Sequence, residues 1–228
     1  MPLSYSAKGQ NEHLKFDNPL FQPMARLILA SSSPRRQELL TAAGYGFEIV
    51  VPSPTAECGL CSQETPPEFV ARMAYQKAKD VVDRLRSEFG ATTENDALVI
   101  GCDTVAECAG QILGKPADRE HARTMLKLLS GREHHVYSGL CLWPTESKEA
   151  HVLVDRTSLV MDRLSDRDLD EYLDSGLWEG KAGAFGYQDR VGWLRVTEGS
   201  ESNVVGLPME LLARMLADLD PSKADHTQ

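Results

Sequence analysis

The chain has 228 residues, 42% of them hydrophobic and 25% charged, a composition ordinary for a soluble globular protein with a substantial core. Its formal net charge of −10 opposes general attraction to nucleic acid or an anionic membrane, so stable binding to either is not expected and any anion site has to be built locally. No apolar run is long enough to span a bilayer and the opening MPLSYSAKGQNEHLKFDNP is too polar for a secretion signal, which makes a cytoplasmic location the default expectation.

Residues 1–24 read as a flexible extension, 25–220 as the folded domain and 221–228 as a polar tail. Arg26 to Ala30 reads as a buried strand running into Ser31-Ser-Ser-Pro-Arg-Arg36. Ser33 can cap the helix that follows, and Pro34 suits its first turn because proline has no N–H to leave unpaired. Free amides, the positive end of the helix dipole, serine hydroxyls and Arg35 with Arg36 would then favour a phosphate or carboxylate. An ordinary capped surface helix is equally consistent with this segment alone.

Gly44 is placed as a helix stop, Phe47 to Val51 reads as a second strand, and Pro52 to Pro67 as a loop. From Pro67 to Phe89, apolar residues recur at helical spacing (Phe69, Val70, Met73, Ala74, Ala78, Val81, Val82, Leu85). Ala97 to Glu107 and Gln111 to Gly114 suggest a hairpin through Ala109-Gly110, followed by a helix from about Asp118 to Leu129. His135 to Trp143 and Val152 to Met161 are β-rich, Ser165-Asp-Arg-Asp168 has the form of a capping box for a helix ending near Gly176, and Leu207 to Leu219 reads as an amphipathic helix with Pro208 in its first turn. Mixed order of this kind predicts an α/β protein with strands of both directions.

Several residues stand out chemically. Asp103 follows a glycine inside an apolar strand, an expensive place for an unpartnered charge, and is a candidate functional acid against the reading of a carboxylate that turns the chain. Lys115, in Gly114-Lys-Pro116, sits at a rigid bend, and Lys77 lies on the flank of the long helix where it can face a cleft, whereas Lys79 reads as solvated. Gly180-Lys-Ala-Gly-Ala-Phe-Gly-Tyr-Gln188 would let backbone approach a ligand closely. The Gln188 amide could then read the edge of uracil or thymine, unless the segment is a plain glycine-rich turn. Ser200 and Asn203, in the polar run before the last helix, are a second candidate for anion or sugar contact. Five cysteines, an odd number, argue against a disulfide framework. Cys58 and Cys61 have metal-ligand spacing but no second pair to complete a zinc site, and His134 and His135 read as one imidazole per face of a strand, hydrogen-bonded rather than ligating.

Taken together, Leu29-Ala-Ser-x-Ser-Pro-Arg-Arg-x-x-Leu-Leu40, Lys77-Ala, Gly101-x-Asp-Thr-Val105, Gly114-Lys-Pro116, Ser130-Gly-x-x-His134, Lys181-Ala-Gly-Ala184 with Gly186-x-Gln188, and Asn203-Val-Val-Gly-Leu-Pro208 resemble the Maf family, within the Maf/Ham1 nucleotide pyrophosphatase group, over roughly residues 26 to 219. The resemblance implies a mixed-sheet, two-lobed, ITPase-like α/β fold with a deep central cleft. It also implies hydrolysis of a nucleoside triphosphate to monophosphate and pyrophosphate with a divalent cation, Mg²⁺ or Mn²⁺, and leaves a homodimer open. Asp103 matches the family's proton acceptor, and Ser33, Arg36, Lys77 and Lys115 match other site residues. Glu57 matches a metal-holding acid beside Asp103, in a loop longer than the usual form. Arg35, Thr104 and Gln188 match the branch acting on dTTP and UTP rather than the one acting on 7-methyl-GTP. A role in regulating cell division, associated with the family, is the alternative to turnover, against which intact Asp103, Lys77 and Lys115 argue.

Overall fold

The structure, a computed structural model, describes residues 26–56, 64–89, 96–189 and 192–219, with Phe89 and Gln188 described by their backbone alone. Glu57, Cys58 and Cys61, the expected N-terminal extension and the polar tail therefore lie outside the described residues. In chain order the elements are β1 (Arg26–Ala30), α1 (Pro34–Ala42), β2 (Glu48–Ile49), α2 (Pro66–Phe89), β3 (Ala97–Cys108), β4 (Gln111–Leu113), α3 (Arg119–Leu129), β5 (Glu133–Pro144), β6 (His151–Met161), α4 (Asp166–Asp174), β7 (Leu194–Glu198), α5 (Glu201–Val205) and α6 (Met209–Asp218). Short 3₁₀ turns occupy Pro54–Ala56, Ala182–Ala184 and Tyr187–Asp189.

The seven strands form one sheet in the order β2-β1-β3-β5-β6-β7, with β4 beside β3. β1 runs parallel to β2 and β3, and the remaining pairs are antiparallel. Alternation of side chains along the strands supplies both faces at once. Leu27, Leu29, Leu98 and Ile100 join Leu40 of α1 and Leu212 of α6 on one face, while Ile28, Val99, Cys141 and Trp143 pack under Ala74, Ala78 and Val82 of α2 on the other. A separate core at the far end of the long strands gathers Ala106, Leu126, Leu129, Leu159, Met161 and Leu173 beneath α3 and α4. Two lobes therefore share the continuous strands β3, β5 and β6.

The apolar stripe placed α2 to within a residue, and two glycines let it approach the sheet. A Cβ on Gly101 would lie 2.2 Å from the Ala74 carbonyl oxygen, and one on Gly139 2.1 Å from that of Val70. The expected hairpin turns through Ala109 and Gly110, both with positive φ, as a two-residue turn requires. Asp118 caps α3 and Ser165 with Asp168 completes the capping box of α4.

Other expectations need correcting. The strand expected over Phe47–Val51 is only Glu48–Ile49, since just two residues pair with β1 and Pro52 follows close behind. β7 and the one-turn α5 were not expected, and Pro208 is the N-cap of α6 rather than a residue inside it. Ser33 does hold the N-cap position of α1, but its side chain makes no capping bond; the Ser33 amide instead donates to Ser31 Oγ at 3.2 Å. No helix among the described residues is long and apolar enough to cross a membrane.

Candidate active site

The site begins as a gap in one edge of β3. β1 covers that edge as far as Gly101, which pairs with Ala30, and β4 resumes it at Ala106, while β5 occupies the opposite edge throughout. Residues Cys102 to Val105 thus have an open flank between the lobes. The loop Ser31–Ser33 with the start of α1 borders the gap on one side, and Lys115, two residues beyond β4, borders it on the other. A cleft of about 730 Å³ opens there, within the size range of small-molecule and cofactor sites.

Asp103 stands in the gap and α2 supplies its partner. The contacts at Gly101 and Gly139 bring Lys77, one turn beyond Ala74, to the acid, and Lys77 Nζ donates to Asp103 Oδ1 at 2.7 Å. Their side chains are only 9% and 16% exposed, a burial that two unpaired charges could not sustain. The second carboxylate oxygen of Asp103 has no partner among the described residues. It is therefore available to a ligand, a metal or a water.

The adjacent arginines are treated differently. Arg36 is buried, donating from Nε to the Gly206 carbonyl at 2.8 Å, from Nη1 to Ser31 Oγ at 3.1 Å and from Nη2 to Thr104 Oγ1 at 3.4 Å. The Thr104 hydroxyl also bonds Ser138 Oγ at 2.7 Å and Gly206 O at 3.2 Å. Gly206 has φ +127, so this knot fixes a left-handed bend between α5 and α6. Arg35 is half-buried in the cleft wall and makes no hydrogen bond or ion pair among the described residues, as is also true of the exposed Lys115.

Ser33, Arg35, Arg36, Lys77, Asp103, Thr104 and Lys115, widely separated in the chain, all line this one cleft. Ser200 and Asn203 do not. The Ser200 hydroxyl caps α5 by accepting from the Asn203 amide, and Asn203 is fully buried with Nδ2 on Val136 O and Thr157 Oγ1. The Gln188 backbone lies in the 3₁₀ turn of the opposite wall, with its side chain outside what is described, and Glu57 likewise lies outside.

The opposite wall contains residues not proposed as site groups from sequence. Lys181 is buried there, its Nζ 2.5 Å from Asp189 Oδ1 and also bonded to Oδ2, which accepts from Tyr172 OH at 2.8 Å. Burial first, and the Asp189 hydrogen bond next, push the Tyr172 phenol well above its ordinary range, so it remains a donor. Tyr172 stacks on Phe185, which faces the cleft. His134 also lines the cleft, over an apolar floor that includes Val136, Leu159 and Met161. A signal for its orientation was present in the sequence, since even-numbered residues of β5 share one face; Lys181 and Asp189 lie in an irregular segment of two short 3₁₀ turns, where no regular period predicts their pairing.

Among the described residues no cluster of three or more His, Cys, Asp or Glu could hold a metal by itself. Asp103 fits a hard divalent cation of the kind that keeps several waters and takes its other ligands from substrate phosphates.

Fold and site together define a two-lobed α/β protein whose interlobe cleft joins one poised carboxylate and several cations to an apolar, aromatic pocket. The Maf-like protein family model matches residues 26–219, and the chain belongs to that family. It is 56% identical over 195 residues to the dTTP/UTP pyrophosphatase of Rhodopirellula baltica, covering 85% of this chain and 82% of that protein. It is 40% identical over 196 residues to the dTTP/UTP pyrophosphatase of Pelotomaculum thermopropionicum, covering 85% and 96%. With the protein of the same name from Alkaliphilus oremlandii the identity is 39% over 194 residues, covering 85% and 95%.

Proposed function

We propose that this protein hydrolyses dTTP and UTP to the nucleoside monophosphate and pyrophosphate, with the phosphates at the gap in β3 and the base over the apolar floor. The observation that carries the arrangement is Asp103, pinned through one oxygen by Lys77 and open through the other. Its free oxygen is the acceptor for the proton of a water attacking the α-phosphorus. Lys77 keeps that oxygen aimed and adds positive charge beside the developing oxyanion. A triphosphate carries about four negative charges, which Lys115, Arg35, Lys77 and the amides at the start of α1 offset as the pyrophosphate leaves.

Three of the five guanidinium donors of Arg36 are committed inside the protein. Its role combines shaping the bend at Gly206 with phosphate contact through the donors that remain. Arg35, Thr104 and Gln188 take the part of nucleotide discrimination. Mg²⁺ or Mn²⁺, for which Asp103 and Glu57 are the candidate ligands beside the substrate phosphates, would supply charge neutralisation and orient the triphosphate. A cytoplasmic setting, where nucleoside triphosphates and Mg²⁺ coexist, suits this activity.

The test is a panel of nucleoside triphosphates, 7-methyl-GTP included, assayed for pyrophosphate with and without divalent metal. Release from dTTP and UTP, dependent on metal and nearly abolished in Asp103→Asn, is expected. Faster cleavage of the guanine nucleotides, or undiminished turnover in Asp103→Asn, refutes the assignment.

A further inference from the structure

His134 is 4% exposed, and its ring lines the cleft. It shares a face of β5 with Val136 and Ser138, and the groups around it in the cleft wall are apolar: Ala106, Leu129, Leu159 and Met161. One ring nitrogen is used internally, since Nδ1 lies 3.4 Å from the Arg132 carbonyl oxygen, an acceptor that places the ring proton on Nδ1. Nε2 is then a bare lone pair, with no hydrogen-bond partner among the described residues. An acceptor facing an apolar pocket is costly unless a ligand supplies a donor.

Position says which part of a nucleotide arrives there. Asp103 is paired with Gly139, and His134 lies five residues back along β5, roughly 17 Å between backbones at about 3.3 Å per residue. With the phosphates among Asp103, Lys77 and the start of α1, the sugar and base are what reaches the apolar part of the cleft where His134 lies. Thymine and uracil carry one ring donor on that edge, N3–H. Cytosine presents a lone pair at the same atom.

We infer that His134 is a specificity-determining residue whose Nε2 accepts the N3–H of thymine or uracil. The inference rests on the proposed hydrolysis of dTTP and UTP and adds to it a reason why cytosine is refused: two lone pairs would face each other across the site. Burial, the largest influence, holds the His134 imidazole below its ordinary pKa, which keeps Nε2 an acceptor at neutral pH.

The experiment compares kcat/KM for UTP, CTP and N3-methyl-UTP, with Mg²⁺, in the wild type and in His134→Leu and His134→Gln. The wild type should prefer UTP over both others. In His134→Leu the UTP:CTP ratio should fall roughly tenfold or more, whereas His134→Gln, which keeps an acceptor, should retain part of it. A merely structural histidine would lower melting temperature and turnover on every nucleotide together; an unchanged ratio in the folded variants overturns the inference. The wild type alone also decides it, because N3-methyl-UTP cleaved as well as UTP overturns it whether or not the variants fold. If neither dTTP nor UTP yields pyrophosphate in the wild type, the activity itself is wrong and the inference falls with it.

Discussion

Two lysine–aspartate pairs face each other across this cleft, and they differ in what they leave unsatisfied. Lys77–Asp103 and Lys181–Asp189 are similarly buried, with side-chain exposures of 9% and 16% against 8% and 7%. In the second pair both carboxylate oxygens are taken by Lys181, and one also accepts from Tyr172. In the first, one oxygen is bonded and one is open. Burial and charge alone do not distinguish a reactive acid from a structural one; the count of unspent lone pairs does. Asp189 closes the loop 181–189 on itself, holding a segment in which Gly183 and Ala184 both have positive φ. Among the described residues the Asp103 carboxylate bonds only Lys77.

Breaking each pair should therefore damage a different property. Asp103→Asn preserves shape and can still accept from Lys77, so kcat should fall about 10²- to 10⁴-fold, with a loss of stability smaller than a truncation that strands the Lys77 ammonium altogether would cause. Pyrophosphate release and a thermal melt on the same preparation check both halves. Asp189→Ala should instead destabilise by about 3–5 kcal/mol, because it strands a buried ammonium, as measured by urea unfolding. The double variant Lys181→Met/Asp189→Leu should recover most of that loss, since an apolar replacement of both partners leaves no orphaned charge. A large catalytic defect with full stability in Asp189→Ala would erase the contrast.

The arginines sharpen the same contrast at smaller scale. Arg36→Ala removes three internal hydrogen bonds, including the one on Gly206 O, and should lower both stability and turnover on every nucleotide. Arg35→Ala touches no internal bond, so stability should hold while kcat/KM drops about tenfold, the scale of one charged hydrogen bond, with a change in nucleotide preference. Equal losses of stability in the two variants would show that both are structural.

How much of this was legible in sequence follows from the range of each interaction. The α2 stripe, the Ala109-Gly110 turn and the Ser165 capping box are local patterns whose residues lie within a few positions of one another, and each formed where expected. Only the family resemblance separates Arg35 from Arg36 in the sequence, because the physical difference between them depends on a carbonyl 170 residues from Arg36. β7 was missed for a related reason: Leu194–Glu198 is a partly charged edge strand that pairs with only a few residues of β6, across a bulge. Seven of the site residues read from motifs do converge on one cleft. Ser200 and Asn203 look no different in sequence, yet their side chains are turned inward to hold α5 and its contacts with β5 and β6.

Another buried polar side chain of the cleft, His134, predicts a smaller effect with a definite sign. Its pKa in the folded protein is lowered, chiefly by burial and also by His135, against opposing influences from the Arg132 carbonyl, Glu107 and Glu133. An unfolded histidine titrates near pH 6.5, so below about that pH the unfolded chain binds the proton that folded His134 refuses. The contribution is fully present above the unfolded pKa and is lost as pH falls through it toward the folded value, with a slope of at most about 1.4 kcal/mol per pH unit. Urea unfolding of the wild type and His134→Gln between pH 7 and pH 5 reads this directly. The variant should lose less stability on acidification; parallel curves would mean that His134 is as protonated in the folded protein as in the unfolded chain, and that its Nε2 is not the bare acceptor the cleft requires.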